Sequence, residues 1–244
     1  MLKIEGQNVP LIDVEALNSF WTLVHNFKYI IVDPKKLKLF NIYLDGYKFL
    51  FEPDNKTILL TYNELGYSRE YFKKNKTKSD LFTELKYPKI HKDKLKNLKS
   101  TLDKEGIKKC LVTSFINHKN VPELAYNKGI EDNRHKELLY RGLDNDSLFF
   151  LQNFILNNSY HIDLGDTRNF KNSDELITKL KYIFSAKLYI GSTCTWSKMA
   201  ARADIPVYII FNRNQKLLGK EFQERANSLE KGGLLHKIMY EALI

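Results

Sequence analysis

Two kinds of apolar spacing alternate along the chain, one recurring every three or four residues and the other in short unbroken runs. Val14, Leu17, Trp21 and Val24 recur at helical spacing, which predicts a helix over 13–27 with Asp13 as its cap. An apolar run over 28–33 predicts a strand, Pro34 permits a new start, and 35–44 reads as a second helix with only partial periodicity. Residues 47–51 and 57–62 are strand-like and separated by Pro53-Asp54-Asn55, a turn signal; 68–75 reads as a short helix. This first stretch fits either a shortened strand-helix-strand unit or a helix packed on a hairpin. Residues 80–105 are charge-rich and contain Pro88, and they read as a helical linker with a domain boundary near 105.

Beyond residue 107 the alternation becomes regular. Strands are predicted at 110–114, 161–164, 188–190 and 206–211, and helices at 147–157, 173–184 and 196–203. Strands separated by helical stretches of this length pair in parallel through right-handed crossovers, so the chain is expected to be an α/β protein. Ligands of such sheets bind beyond the carboxyl ends of the strands, which directs attention to the loops after Ser114, Leu164 and Ile190. The tail over 221–244 reads as helical, interrupted at Gly232-Gly233.

Charge changes the picture in one region. The 39 Lys and Arg against 29 Asp and Glu give a net +10, suited to phosphates, nucleic acid or an anionic membrane surface. Arg69 to Lys109 alone holds fourteen Lys or Arg against six Asp or Glu. Such a run is read equally as a solvated basic helix and as a polyanion-binding surface. Cys110 and Cys194 stand apart without a CxxC or Cys/His cluster, which points away from a disulfide framework or a zinc site. No apolar run approaches the ~20 residues that span a bilayer, and the amino terminus lacks the layout of a secretory signal, so the expected compartment is the cytoplasm.

The segment from Ala186 to Phe211 carries the strongest chemistry: a strand, a Gly191-Ser192-Thr193 turn, a helix and another strand. Gly191 lets the backbone turn sharply, and Ser192, Thr193 and Thr195 place hydroxyls beside helix amides, where a phosphate is favoured. Lys198 adds a positive charge within the first helical turn. The competing reading of the turn alone is a capped helix with no ligand.

Taken whole, this segment resembles the donor-site segment of heptosyltransferase-like GT-B glycosyltransferases. Gly191-Ser192, Trp196, Ser197, Ala200 and Ile205-Pro206 match the family pattern, whereas the family's Asp, Gly and His are Thr193, Thr195 and Lys198 here. Ser114, followed by Lys119-Asn-Val-Pro-Glu123, resembles the family's earlier Ser loop and Lys-x-aromatic-Pro-x-Glu motif, with Val121 in place of the aromatic. Ile162 to Leu176 resembles the strand, Gly turn and helix opening that lie beside the donor base and ribose, which makes Leu164, Gly165 and Asp166 candidates. Asp163 and Asp166 read equally as caps that end local elements. The three matches span roughly 107–212.

The resemblance implies a GT-B-like α/β fold, with an abbreviated amino-terminal α/β lobe and basic linker over 1–105. A Rossmann-type parallel-sheet lobe over 106–244 would bind a nucleotide sugar. It implies transfer of a sugar to a hydroxyl acceptor, either a glycan or a hydroxylated base in DNA, with the nucleotide-diphosphate sugar as co-substrate and no further cofactor. Ser114, Lys119, Ser192, Thr193 and Lys198 would stabilise the leaving diphosphate. No Asp-x-Asp metal pair is read at a strand end, so metal-independent transfer is expected. Among the amino-terminal groups Asp13, His25, Asp33 and Glu64, the base is assigned to Glu64, with Asp33 beside it. The alternative is a non-catalytic nucleic-acid or polyanion binder using the lysines of 69–109 with Tyr67, Tyr71 and Phe72.

Overall fold

The computed structural model describes residues 2–13, 16–77, 85–104, 111–114, 116–117, 142–143, 161–191, 194–203 and 205–209. The chain divides into two compact units, the first made of Met1–Asn97 with Thr167–Lys179 and the second of Leu98–Asp166 with Leu180–Ile244. A later segment, Thr167–Lys179, thus returns to the first unit.

The first unit opens with a hairpin, β1 (Leu2–Ile4) and β2 (Gln7–Val9), antiparallel with Ile4 opposite Gln7. Glu5 and Gly6 turn it with φ of 50° and 76°, the positive angles that a two-residue hairpin loop needs. A three-stranded parallel sheet follows, in the order β3 (Leu11–Ile12), β4 (Tyr29–Val32), β5 (Ile58–Thr61). Its crossovers are α1 (Leu17–Asn26) and α2 (Leu37–Leu50), the latter entered through a 3-10 turn at Pro34–Lys36. Of the two arrangements open from sequence, the strand-helix-strand unit is the one formed.

Alternation along β4 sorts its side chains between two faces. Ile31 packs with Val9, Leu11, Tyr62 and Phe72, the last from α3 (Arg69–Asn75). Ile30 and Val32, both fully buried, are left to the opposite face, where right-handed crossovers put α1 and α2. There Phe20 stacks on Phe40 with centroids 4.9 Å apart, and the Trp21 indole donates to the Tyr43 carbonyl at 2.7 Å. Each of these fully buried apolar side chains contributes about 1.5–3 kcal/mol.

Two local expectations are corrected. Residues 47–51 are not a strand: Phe40, Tyr43, Leu44, Tyr47 and Leu50 form one buried stripe at helical spacing, so α2 runs on through them. Helix α1 starts at Leu17 behind Ala16, and Asp13 is not its cap; the Asp13 carboxylate instead holds Lys36 at 2.6 Å.

Gly46 inside α2 is where α1 and the returning segment come closest. A Cβ there would lie 2.6 Å from Leu176 Cδ2 and 3.3 Å from Trp21 Cζ2. The same segment is held by Tyr43, whose hydroxyl donates to the Thr167 carbonyl at 2.9 Å and whose ring meets Phe170 edge-on. That anchoring explains why Thr167–Lys179 belongs with the first unit although its sequence neighbours belong to the second.

The second unit holds a four-stranded, all-parallel sheet in the order β11, β10, β6, β9. Here β6 is Leu111–Ser114, β9 is His161–Asp163, β10 is Leu188–Gly191 and β11 is Val207–Ile209. Helix α5 (Ser173–Ser185) leads from β9 to β10, and α6 (Thr195–Arg202) leads from β10 to β11. Helix α4 (Lys92–Lys104) precedes the sheet, and a small parallel pair joins β7 (Ile116–Asn117) to β8 (Gly142–Leu143). The buried small side chains Ala200, Ala201 and Ala203 allow α6 to lie close on its strands. A mixed α/β fold with parallel sheets is thus established, and no helix among the described residues is long and apolar enough to cross a membrane. The helices expected over 147–157 and 221–244, and residues 210–211 of the last strand, lie outside the described residues.

Because Gly46 is enclosed by fully buried Leu176 and Trp21, Gly46→Val is expected to overpack the helix contact and cost about 1–3 kcal/mol, despite glycine's poor helix propensity. Denaturant unfolding of the two proteins measures this, and equal or greater stability of the variant would contradict the packing described.

Candidate functional site

Parallel pairing places every strand's carboxyl end on one edge, and the strand order decides where that edge opens. From β6 the chain goes to β9 on one side, then crosses to β10 on the other, so the order reverses between β6 and β10. In open parallel sheets a ligand favours the strand ends at such a reversal. Ser114 and Gly191 are register partners at the last paired position of these two strands. The sequence-assigned residues of the two loops thus start side by side.

The next strand over completes the edge. Thr113 is paired with Asp163 of β9, and the chain then turns through Leu164 and Gly165. Asp163 Oδ1 accepts the Gly165 amide at 2.9 Å, and Gly165 has φ of 62°, a left-handed angle that suits glycine. The Gly165 carbonyl accepts the Trp196 indole N–H at 2.9 Å. Trp196 is the second residue of α6 and is fully buried, so one side chain ties the turn after β9 to the helix after β10.

The α6 amino terminus is built to be rigid. Ser197 Oγ accepts the Cys194 amide at 2.9 Å and donates to the Cys194 carbonyl at 2.8 Å, closing the first turn. The Tyr189 hydroxyl lies 3.2 Å from Cys194 Sγ. Thr195 and Lys198 fall within this first turn, where aligned amide dipoles favour an anion. Leu164 is wholly buried, so only its backbone is available to a ligand. Asp166 is half-buried on the same turn. Among the sequence-assigned donor residues, Ser114, Leu164, Gly165, Asp166, Gly191, Thr195 and Lys198 belong to this edge. Lys119, Ser192 and Thr193 lie outside the described residues.

The first unit has its own carboxyl edge, and both sequence-assigned bases are on it. Asp33 directly follows β4 and is buried; its Oδ1 accepts the Lys35 amide at 2.9 Å, capping the 3-10 turn, and its Oδ2 is 3.8 Å from Arg69 Nε. Glu64 follows β5 and folds back, its Oε2 accepting both the Thr61 amide at 2.6 Å and the Thr61 hydroxyl at 2.8 Å. The Thr61 backbone bond, then its hydroxyl bond, hold the Glu64 carboxyl below the ordinary glutamate range. Glu64 thereby closes a turn, a role the sequence reading did not assign it. His25 is remote from that edge, at the carboxyl end of α1, with Nδ1 3.0 Å from the Tyr47 hydroxyl.

Sequence reasoning missed the pairing of Asp13 with Lys36 and the Trp196 bridge. A signal for the first existed: Ile12-Asp13 and Val32-Asp33 each place an aspartate directly after an apolar strand. The premise of the metal expectation also changes, because β8 ends at Leu143 and the run Asp144-Asn145-Asp146 follows it in sequence, itself outside the described residues. Among the described residues no group of three or more His, Cys, Asp or Glu could hold a metal.

The Glu64 geometry has a pH consequence with a definite sign. Its folded pKa is depressed, so its stabilising effect is complete above the unfolded value of about 4.3 and is lost as pH falls through the lower folded value. The melting-temperature gap between the parent and Glu64→Ala is therefore expected to be widest near pH 7 and to narrow towards pH 3; a gap that widens on acidification would contradict it.

Compared with protein-family models, curated proteins and solved structures, the chain gives no match.

Proposed function

We propose that the chain is a glycosyltransferase that moves a sugar from a nucleotide-diphosphate donor to a hydroxyl acceptor. The observation that carries this reading is the strand-order reversal between β6 and β10, with Ser114 and Gly191 in register. Directly beyond it stand the turn and helix opening that resemble a nucleotide-sugar segment.

In the proposed reaction the acceptor oxygen forms a bond to the sugar's anomeric carbon while the bond from that carbon to the diphosphate breaks. The diphosphate leaves with the electron pair. Ser114, Ser192, Thr193 and Thr195, with Lys198 and Lys119, are assigned to the developing negative charge. The turn at Leu164, Gly165 and Asp166 is assigned to the nucleoside. The acceptor proton needs a base. Asp33 is preferred to Glu64, because Glu64 is committed to its turn and its depressed pKa makes it a weaker proton acceptor.

The transfer is proposed to be metal-independent, with the chain's own cations meeting the diphosphate. The acceptor is read as a glycan or a hydroxylated base in DNA; the net +10 supports a polyanionic one.

Calorimetric titration of nucleoside diphosphates and nucleotide sugars tests the donor assignment, run with magnesium or manganese and again with chelator because of Asp144-Asn145-Asp146. One nucleotide is expected to bind saturably and without metal, and Lys198→Ala is expected to weaken it about tenfold or more, the range for losing a charged hydrogen bond. Absence of binding across the panel would overturn the reading, and binding only with metal would overturn its metal-independent form.

A further inference from the structure

Helix α3 lies across the carboxyl edge of the first sheet. At its start Arg69 faces Asp33, just past β4, and beyond its end Lys76 Nζ lies 3.8 Å from Asp13 Oδ2, just past β3. Thr77 then pairs with Leu11, its amide donating to the Leu11 carbonyl and its hydroxyl accepting the Leu11 amide, each at 2.9 Å. The helix is pinned by Phe72, which is buried against Tyr62, and is capped by Ser68. Its placement is therefore fixed, and what it displays is fixed with it.

What it displays is cationic and aromatic. Arg69 and Lys76 are about half exposed and hold their carboxylates only loosely, both at 3.8 Å. Lys73 and Lys74 are exposed and have no ion-pair partner among the described residues. Tyr67 and Tyr71 stack with centroids 4.6 Å apart and planes 11° from parallel. Tyr71 is 36% exposed, one of two large apolar or aromatic side chains so exposed among the described residues. Tyr71 and Lys74, three positions apart, share one side of α3, while Arg69, Lys73 and Lys76 follow the sheet-edge side, so a strand crossing the helix meets aromatic and cationic groups in turn, the combination that binds bases and phosphates together.

We infer that α3 is a docking element for single-stranded nucleic acid crossing it, with phosphates on Arg69, Lys73, Lys74 and Lys76 and a base stacked on the exposed Tyr71. A single strand is required because a duplex hides the base faces that a tyrosine would stack on. An anionic membrane fits less well, since Phe72 is turned into the core and Tyr71 alone among the apolar or aromatic side chains of α3 is exposed for insertion. The inference does not rest on the glycosyl-transfer reading, and its test is independent of nucleotide-sugar binding.

Fluorescence anisotropy of a labelled oligothymidylate with the full chain tests it. Four phosphate contacts predict a slope of about −3 in log affinity against log salt, or about 50-fold weaker binding at 200 than at 50 mM. Tyr71→Ala is expected to weaken binding about fivefold or more with the slope unchanged, whereas Lys73→Ala with Lys74→Ala roughly halves the slope. Polyphosphate of matched charge should compete poorly. Equal competition by polyphosphate with a silent Tyr71→Ala would leave only a polyelectrolyte surface and overturn the inference. So would capture by phosphatidylserine vesicles in preference to the oligonucleotide, or no binding at 50 mM salt. Circular dichroism melting confirms that each variant is folded; the exposed lysine pair keeps the test decisive should the tyrosine variant not fold.

Discussion

Parallel strand pairing is the constraint on which the rest of this structure depends. Two parallel strands cannot be joined by a tight turn, so each pair needs a crossover, and each crossover needs an apolar face to bury. The consequence is that strand ends collect at one edge in each unit. In the first unit that edge receives Asp13, Asp33 and Glu64, and in the second Ser114, Asp163 and Gly191. Polar residues stand there because the strand's apolar run has ended and the chain must turn.

The crossovers are held by a few buried aromatic side chains with one polar atom each. Trp21 bonds the Tyr43 carbonyl, Tyr43 bonds the Thr167 carbonyl, and Trp196 bonds the Gly165 carbonyl. Each buries a large apolar surface while its own polar atom is paired with a backbone carbonyl. The pattern is common to both units, and in the second it also fixes the loop proposed to meet a nucleoside. Rigidity there serves function, since a ligand held by backbone groups needs those groups already in position.

Much of this was legible in the sequence, and the failures have physical causes. The strands over 57–62, 110–114, 161–164 and 188–190 and the helices over 68–75, 173–184 and 196–203 carry local patterns, and each has a counterpart shifted by a residue or two. The run over 47–51 misled because Tyr, Phe and Leu favour strands locally, while the stripe that makes it helical begins at Phe40. The hairpin at Leu2–Val9 was missed because three-residue strands give no periodicity, although Glu5-Gly6 is a turn dipeptide. The attachment of Thr167–Lys179 to the first unit rests on Tyr43, Gly46 and Phe170, contacts between residues more than a hundred positions apart that no local pattern encodes. At the candidate site, the motif residues were readable; the Trp196 bridge that joins them was not, because a tryptophan at a helix start reads equally as core.

The central claim is that the strand ends at the reversal between β6 and β10 receive a nucleoside diphosphate. Amide chemical-shift mapping with isotopically labelled protein and a nucleoside diphosphate tests this without assuming a donor sugar or an acceptor. The account predicts saturable shifts confined to one patch that includes Gly165, Gly191, Thr195 and Lys198. Shifts centred on Arg69 to Lys76 instead, or none at saturating nucleotide, would contradict it.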